Sequence, residues 1–310
     1  MAVAFQASGS AFRINTQTLG NQEGPDVAVL STGGFVVVWE DHNEPLTNGN
    51  IKGQIYAASG AKFAGEFLVN TQTTGNQVFP AVTGLSGGRF VVTWTDGSGI
   101  GDGNLASVQA QIFAASGAKI GSEFLVNTQA ISAQGISEIA GLAGGGFVVT
   151  WLDEADLSIK AQIYDAEGSR VGGELAVGMQ GFDFQVPAAV AGLANGGFLV
   201  AFQTGNGVLG SGSTNRIEVR FFAAAGVKLG GEFLANTTTV NFQGTPGIAV
   251  LNDGRLVISW HYELGEIKAQ LFDPAGSKIG TEFQVNTKTQ FDQFDPSSGI
   301  TRRRLRHQLG

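Results

Sequence analysis

A segment of about fifty residues recurs along the chain, and this repetition restricts the fold more than any other feature. The copies align on the first residue of a segment that reads F-x-V-N-T in most of them. This residue is Phe12, Phe67, Phe124, Leu175, Phe233 and Phe283, at intervals of 55, 57, 51, 58 and 50 residues. Repeats of this length, with the differences absorbed in loops, indicate a fold assembled from copies of one supersecondary unit.

Each copy contains four segments with strand character. The first is small and apolar, the second reads G-G-x-F-V-V-x-W, the third reads I-x-A-Q-I-Y, and the fourth is the E-F-L-V-N-T segment. The second strand is predicted over Phe35–Trp39 and Phe147–Trp151, for example. Glycine pairs such as Gly33-Gly34 separate the first two segments, and a second glycine turn follows the third. Such turns supply the positive φ angles of tight hairpins, so successive strands are expected to pair antiparallel.

These units predict an all-β fold, namely a β-propeller in which each copy is one four-stranded antiparallel blade. The second strand is apolar on both faces, at Phe147, Val148 and Val149, as expected for a sheet packed between two neighbours. A solenoid or a row of β-sandwiches is the alternative. Sandwiches need roughly seven strands each, which a four-strand repeat does not supply.

One repeat domain is expected over residues 1–300. Its blades are predicted approximately at 17–71, 72–128, 129–179, 180–237 and 238–287. Residues 3–16 read as a hairpin of third and fourth strands, and residues 296–300 as the start of a first strand. The termini are therefore expected to form a partial sixth blade, or else to be spare strands on a five-blade ring. Residues 301–310 match no repeat and are predicted to be a basic tail.

Composition narrows the classes of partner. The formal net charge is −8, and four of the 18 basic residues lie in the last ten positions. An acidic body without a basic stripe argues against nucleic acid and anionic membrane surfaces. The chain has no cysteine. Its longest apolar stretch, residues 186–202, contains Pro187 and Asn195 and follows the repeat register, so no membrane span is expected.

The motifs G-G-E-F-x-V-N-T, Q-x-x-P-x-V-A-x-L, G-G-F-V-V-T-W and A-Q-I-Y-D-A-x-G resemble tandem repeats of large secreted bacterial proteins. Those proteins often carry calcium-binding nonapeptide arrays of the repeats-in-toxin (hemolysin-type) class, or cadherin-like domains. The resemblance covers about residues 11–300. It implies an extracellular protein exported by type I secretion without a cleaved signal peptide. Met1–Ser10 accordingly has no basic region followed by an apolar run.

Two sets of recurring side chains are candidates for ligand binding. Trp39, Trp94, Trp151 and Trp260 share one position of the repeat, which Phe202 takes in the remaining copy. They predict either a ring of sugar-stacking platforms or one large side chain that fills each interface between blades. Glutamine recurs before the first strand, at Gln22, Gln77, Gln134, Gln243 and Gln293. These amides are predicted either to bind ligand on one rim or to satisfy backbone groups of the turns.

A metal site is predicted in the second copy. The segment Asp96-Gly-Ser-Gly-Ile-Gly-Asp102-Gly-Asn104 places oxygen-bearing side chains on a glycine-rich backbone. Calcium prefers several oxygen ligands on a loop that can wrap around the ion, so Asp96, Ser98, Asp102 and Asn104 are predicted to bind Ca²⁺. The alternative is a solvated acidic loop.

No motif in the chain carries recognised catalytic chemistry. The three histidines, His42, His261 and His307, lie in different contexts, and no G-x-S-x-G, H-E-x-x-H or phosphate-loop motif occurs. The sequence therefore predicts a non-enzymatic binding or scaffold module whose variable loops contact a glycan or another protein. One alternative is a multivalent glycan-binding lectin. The other is an enzyme with one asymmetric site at the propeller axis, around residues 260–266, where His261 lies near Glu263 and Glu266.

Overall fold

The structure, a computed structural model, describes residues 11–42, 48–100, 106–128, 132–179, 188–205, 215–262 and 265–287. These residues form twenty strands in five four-stranded antiparallel sheets. Each sheet consists of four strands that are consecutive in the chain, so one copy of the repeat makes one sheet. The predicted all-β architecture of four-stranded antiparallel units is confirmed.

The strand bounds follow the repeat. The first sheet contains β1 (Asn21–Val29), β2 (Phe35–His42), β3 (Gly49–Tyr56) and β4 (Lys62–Leu68). The second contains β5 (Gln77–Gly84), β6 (Phe90–Asp96), β7 (Ser107–Phe113) and β8 (Lys119–Leu125), with a 3₁₀ turn at Ser86–Gly88. The third contains β9 (Gln134–Gly141), β10 (Phe147–Asp153), β11 (Ser158–Tyr164) and β12 (Arg170–Met179).

The last two sheets repeat this order. The fourth contains β13 (Ala189–Gly192), β14 (Phe198–Thr204), β15 (Arg216–Phe222) and β16 (Lys228–Leu234). The fifth contains β17 (Gln243–Val250), β18 (Leu256–Tyr262), β19 (Glu266–Phe272) and β20 (Lys278–Gln284). In every sheet the second strand extends beyond its recurring aromatic residue. In β2, for example, pairing with β1 and β3 continues through the polar residues that follow Trp39.

The glycine turns close the hairpins as predicted. Between β1 and β2, Leu30 N–H donates to Gly34 O and Gly33 N–H donates to Leu30 O, both at 2.8 Å. Gly33 has a φ of 90°, which favours glycine. A Cβ on Gly34 would lie 2.2 Å from the carbonyl oxygen of Tyr56, so the third strand leaves no room for a side chain there.

The sheets pack face to face around a common axis. The first strands β1, β5, β9, β13 and β17 contact one another in that order and are innermost. Apolar clusters fill the space between each sheet and the next. Residues of β2, β3 and β6, such as Val38, Ile51 and Val92, meet in the first of these clusters. This arrangement is a β-propeller, in which each sheet is one blade.

The ends of the repeat region fall partly outside the described residues. Residues 1–10 and 288–310 are not described, so most of the predicted partial blade and the predicted basic tail lie there. Ile14 is described, and it packs against Val37, Trp39 and Tyr56 of the first sheet. Among the described residues, no helix has the length and apolar character that a membrane-spanning helix requires.

Candidate functional site

The four tryptophans lie inside the protein. Trp39, Trp94, Trp151 and Trp260 are 4%, 1%, 1% and 0% exposed, and Phe202 at the same position is 0% exposed. They belong to the apolar clusters of the sheets. A ring so deeply buried offers no face on which a sugar could stack. The structure therefore places these side chains in interface packing, the second of the two roles that the repeat position suggests.

The recurring glutamines belong to an internal hydrogen-bond network. Gln77 donates to Asp96 at 2.6 Å and accepts the indole N–H of Trp94 at 2.7 Å. Gln22 donates to Asp41 at 3.1 Å, and Gln243 accepts from Asn236 at 3.0 Å. Gln77, Gln134 and Gln243 are at most 1% exposed. These amides connect the start of the first strand to the second strand or to the segment that precedes the first strand, and they do not form an exposed rim.

The predicted calcium loop is described only in part. Asp102 and Asn104 lie outside the described residues, whereas Asp96 is 2% exposed. Oδ1 of Asp96 accepts from Gln77 Nε2 and from Ser98 N at 2.8 Å, and Oδ2 accepts from Ser98 Oγ at 3.0 Å. Both carboxylate oxygens thus have protein donors. Calcium binding at this loop stays a prediction.

A different group of side chains, two carboxylates and one imidazole, lies close together in the part of the chain that the structure describes. Glu23, Glu40 and His42 each place one donor atom within 4.8 Å of the others. His42 Nε2 lies 3.0 Å from Glu40 Oε2 and 3.7 Å from Glu23 Oε1. We refer to Glu23, Glu40 and His42 as the first-blade cluster.

Two paired strands hold the first-blade cluster in place. Glu23 on β1 is the cross-strand partner of Glu40 on β2, and the register shifts directly after Glu23. Gly24, with a φ of 55°, makes room for Glu40, because a Cβ there would lie 2.7 Å from Glu40 Oε1. Like charges directly opposite each other destabilise a sheet. When it is protonated, the imidazole of His42 offsets that repulsion.

The environment of His42 favours its charged form. The hydrogen bond to Glu40 raises the pKa of His42, against the opposing effect of burial, and the negative charges of Glu40, Glu23 and Asp41 raise it further. Glu40 is held on its other side by the backbone N–H of Phe79, from the second sheet, at 2.8 Å. The side chain of Glu40 is 4% exposed and that of Glu23 is 30% exposed. Glu23 is thus the member that solvent reaches.

A second ion pair borders the cluster. Asp41 points to the other face of β2, where Lys52 Nζ lies 2.5 Å from its Oδ2. Its Oδ1 accepts from Gln22. The cluster and this pair lie where β1 begins and β2 ends, at the face of the propeller that carries the long loops between second and third strands.

The first-blade cluster breaks the symmetry of the repeat. The residues aligned with Glu40 are Thr95, Leu152, Gln203 and His261, and those paired with them in place of Glu23 include Val78, Gly135 and Gly244. Reasoning from recurring residues missed the cluster because its members do not recur. The available signal was Glu40 directly after Trp39, at a position where none of the other four copies has a carboxylate.

Residues 260–266, the alternative enzyme site that the sequence predicts, include a histidine that is buried against an aromatic ring. His261 is 4% exposed and packs on Phe242, with ring centroids 5.6 Å apart. Lys268 lies over the ring of Tyr262 at 3.6 Å. Glu263 lies outside the described residues. Residues 260–262 are packed within β18, an inner strand of the fifth sheet, and the first-blade cluster is the stronger candidate.

No family model matches the chain, and no curated protein matches it in sequence. Solved structures do match its fold. A protein of unknown function from Dyadobacter fermentans has a TM-score of 0.58 at 13% identity, over 86% of this chain and 83% of that one. An α-L-arabinofuranosidase from Fusarium graminearum has a TM-score of 0.54 at 11% identity, over 88% and 79%. An ulvan lyase bound to -[GlcA(1-4)Rha3S]- has a TM-score of 0.53 at 10% identity, over 88% and 72%.

At these identities the likeness shows a shared propeller-type fold. Two of the three structures are enzymes that act on carbohydrate. This finding contradicts the prediction of a non-enzymatic binding or scaffold module. The sequence argument relied on known catalytic motifs and on recurring positions, and neither of these includes Glu23, Glu40 or His42.

Proposed function

We propose that this chain is an enzyme that hydrolyses glycosidic bonds, with its catalytic centre at the first-blade cluster. The observation that carries the proposal is one solvent-reachable carboxylate, Glu23, supported by a buried His42 and a buried Glu40. The fold that the chain shares with an arabinofuranosidase and a polysaccharide lyase supports a carbohydrate substrate. A polymer substrate also suits the extracellular setting that the repeats imply.

Glycoside hydrolysis passes through a transition state with positive charge near the anomeric carbon, and carboxylates on the enzyme stabilise it. Glu23 is the group in this site that can reach a sugar ring. It would stabilise that charge and accept a proton from the attacking water, while the departing sugar oxygen takes a proton from solvent. His42 Nε2 lies 3.0 Å from Glu40 Oε2, which holds the imidazole in place. The imidazole in turn positions the Glu23 carboxylate, 3.7 Å away.

The charge of the site favours a neutral glycan. Glu23, Glu40 and Asp41 supply three carboxylates, against Lys52 and the imidazole of His42. Acidic surroundings repel a polymer of uronates or sulfated sugars. Lyases eliminate across a uronate, so this charge balance favours hydrolysis over elimination.

The test is an assay of reducing sugar released from neutral arabinose-containing polysaccharides and from an acidic polymer such as ulvan. We expect release from a neutral polymer, and a loss of about 100-fold or more in Glu23→Gln, the scale typical of removing one proton-transfer group. Glu167→Gln is the matched control, since Glu167 is exposed in a turn at the opposite face. Unchanged activity in Glu23→Gln, or an unsaturated elimination product, would refute the proposal.

A further inference from the structure

The junctions between neighbouring sheets follow one rule. At three of the four described junctions an aromatic residue of the fourth strand packs on the aromatic residue that ends the third strand of the next sheet, and Leu175 takes its place at the other. The ring centroids are 5.3 Å apart for Phe67 and Phe113, and 5.5 Å apart for Phe233 and Phe272. The small apolar residue two positions after the first aromatic is fully buried at every such junction: Val69, Val126, Val177 and Ala235 are each 0% exposed.

Residues 11–16 reproduce this rule on the first sheet. Phe12 lies 5.6 Å from Tyr56, at the same tilt of 53° as Phe67 on Phe113. Tyr56 donates its hydroxyl to Ile14 O at 3.0 Å, as Tyr164 donates to Val126 O at 3.2 Å. Thr16 donates to Glu66 just as Thr128 donates to Glu174. Residues 11–16 therefore hold the place of a fourth strand from a further sheet.

The fifth sheet, at the other end of the series, has an exposed apolar face. Phe283 and Val285 occupy the junction positions of the fifth sheet, yet they are 50% and 52% exposed among the described residues. The equivalent residues at the other four junctions are covered by the next sheet. An apolar pair in a position that is otherwise buried indicates a missing neighbour.

We propose that the two termini of this chain form a sixth sheet that covers this face, with Phe5 packed on Phe283. Residues 1–10 lie outside the described residues, but Phe5-Gln-Ala-Ser-Gly9 matches Phe113-Ala-Ala-Ser-Gly117, which ends a third strand. Phe5 precedes Phe12 by seven residues, whereas Phe113 precedes Phe124 by eleven. The shortening is an even number of residues, which keeps the alternation of side chains in a hairpin.

The C-terminal end supplies the matching first strand. Asn286, Gln293 and Pro296 have the same spacing as Asn236, Gln243 and Pro246, which lead into β17. On this proposal, residues 293–300 would supply the first strand of the sixth sheet and residues 2–16 its third and fourth strands, as the repeat pattern of the sequence predicts. The proposal concerns ring closure and is independent of the proposed hydrolysis.

The chain has no cysteine, so single thiols report burial directly. The test compares thiol-labelling rates of Val285→Cys, of the buried reference Val69→Cys and of the exposed reference Ser59→Cys. We expect Val285→Cys to label as slowly as Val69→Cys. Adding Phe5→Ala should speed labelling of Val285→Cys at least tenfold and leave Val69→Cys unchanged.

Labelling of Val285→Cys at the rate of Ser59→Cys in the full chain would overturn the proposal. Protection that disappears on dilution would also overturn it, since a second copy would then cover the face. If Phe5→Ala does not fold, the double variant Phe5→Cys/Phe283→Cys provides a second measurement. An oxidised peptide linking positions 5 and 283 supports closure, and its absence under conditions that oxidise a Phe67→Cys/Phe113→Cys pair rejects it.

Discussion

Glu23 and Glu40 face each other across paired strands, with the imidazole of His42 lying 3.7 Å from the first and 3.0 Å from the second. Two like charges at directly opposed positions cost a sheet stability unless a positive group lies between them. His42 provides that group when it is protonated. The protonation state of one histidine therefore connects the stability of the first blade to pH.

The first prediction concerns the pH dependence of stability. The pKa of His42 is raised, chiefly by the hydrogen bond to Glu40, above the value of about 6.5 for an unfolded chain. A group with a raised pKa in the folded state contributes stability that is fully present below the unfolded pKa and is lost as pH rises through the folded pKa. Urea unfolding should thus show the wild type losing stability, relative to His42→Gln, as the pH rises above the unfolded value of about 6.5.

The control for this prediction is Glu40→Gln, which keeps the shape of the partner but removes its charge. In that variant the pKa of His42 should move down toward its ordinary value, as followed by NMR titration of the imidazole. A wild-type pKa at or below about 6.5 would contradict the assignment of Glu40 as the dominant partner.

A second prediction separates packing from hydrogen bonding at the tryptophan position. Trp94→Phe should fit, because Phe202 fills the same position in the fourth sheet. It removes the 2.7 Å hydrogen bond to Gln77 and leaves the buried Gln77 oxygen without that donor, at a cost of about 1–3 kcal/mol. Trp94→Ala should cost more, about 3–5 kcal/mol, because it also leaves a cavity.

Trp260→Phe is the matched control, measured by the same urea unfolding experiment. The indole nitrogen of Trp260 is buried without a hydrogen-bond partner among the described residues. Its replacement should therefore destabilise less than Trp94→Phe. Equal losses at the two positions would show that ring size alone accounts for the effect.

The architecture followed from the sequence because each element of the repeat has a local physical cause. Gly33-Gly34 specifies the hairpin between β1 and β2, and the apolar second strand specifies a sheet covered on both faces. These features recur, so each copy supports the interpretation of the others. The same recurrence explains Trp94 and Gln77, because an aromatic ring occupies the position of Trp94 in all five copies and the Gln77 amide accepts the indole N–H.

The candidate site could not be predicted in this way. The second strand of the first copy was predicted to end at Trp39, whereas β2 continues to His42. The polar residues after Trp39 have weak strand character, and only their pairing with β1 and β3 keeps them extended. That extension is what brings Glu40 opposite Glu23. A cross-strand relation depends on register, and the bulge after Glu23 shifts the register in a way that the repeat pattern does not reveal.

A third prediction tests how closely the innermost strands approach at the axis. A Cβ on Gly192 would lie 2.1 Å from Gly141 O of the neighbouring sheet, a backbone atom that cannot rotate away. Gly192→Ala should therefore push β13 from β9 and destabilise the protein by about 1–3 kcal/mol. Gly173→Ala, at a strand position with nothing within 4 Å of the added carbon, is the control. Since alanine suits a strand at least as well as glycine, this control should be neutral or slightly stabilising in urea unfolding. A neutral Gly192→Ala would mean that the inner strands are farther apart than described, and that contact between them does not set the spacing of the blades.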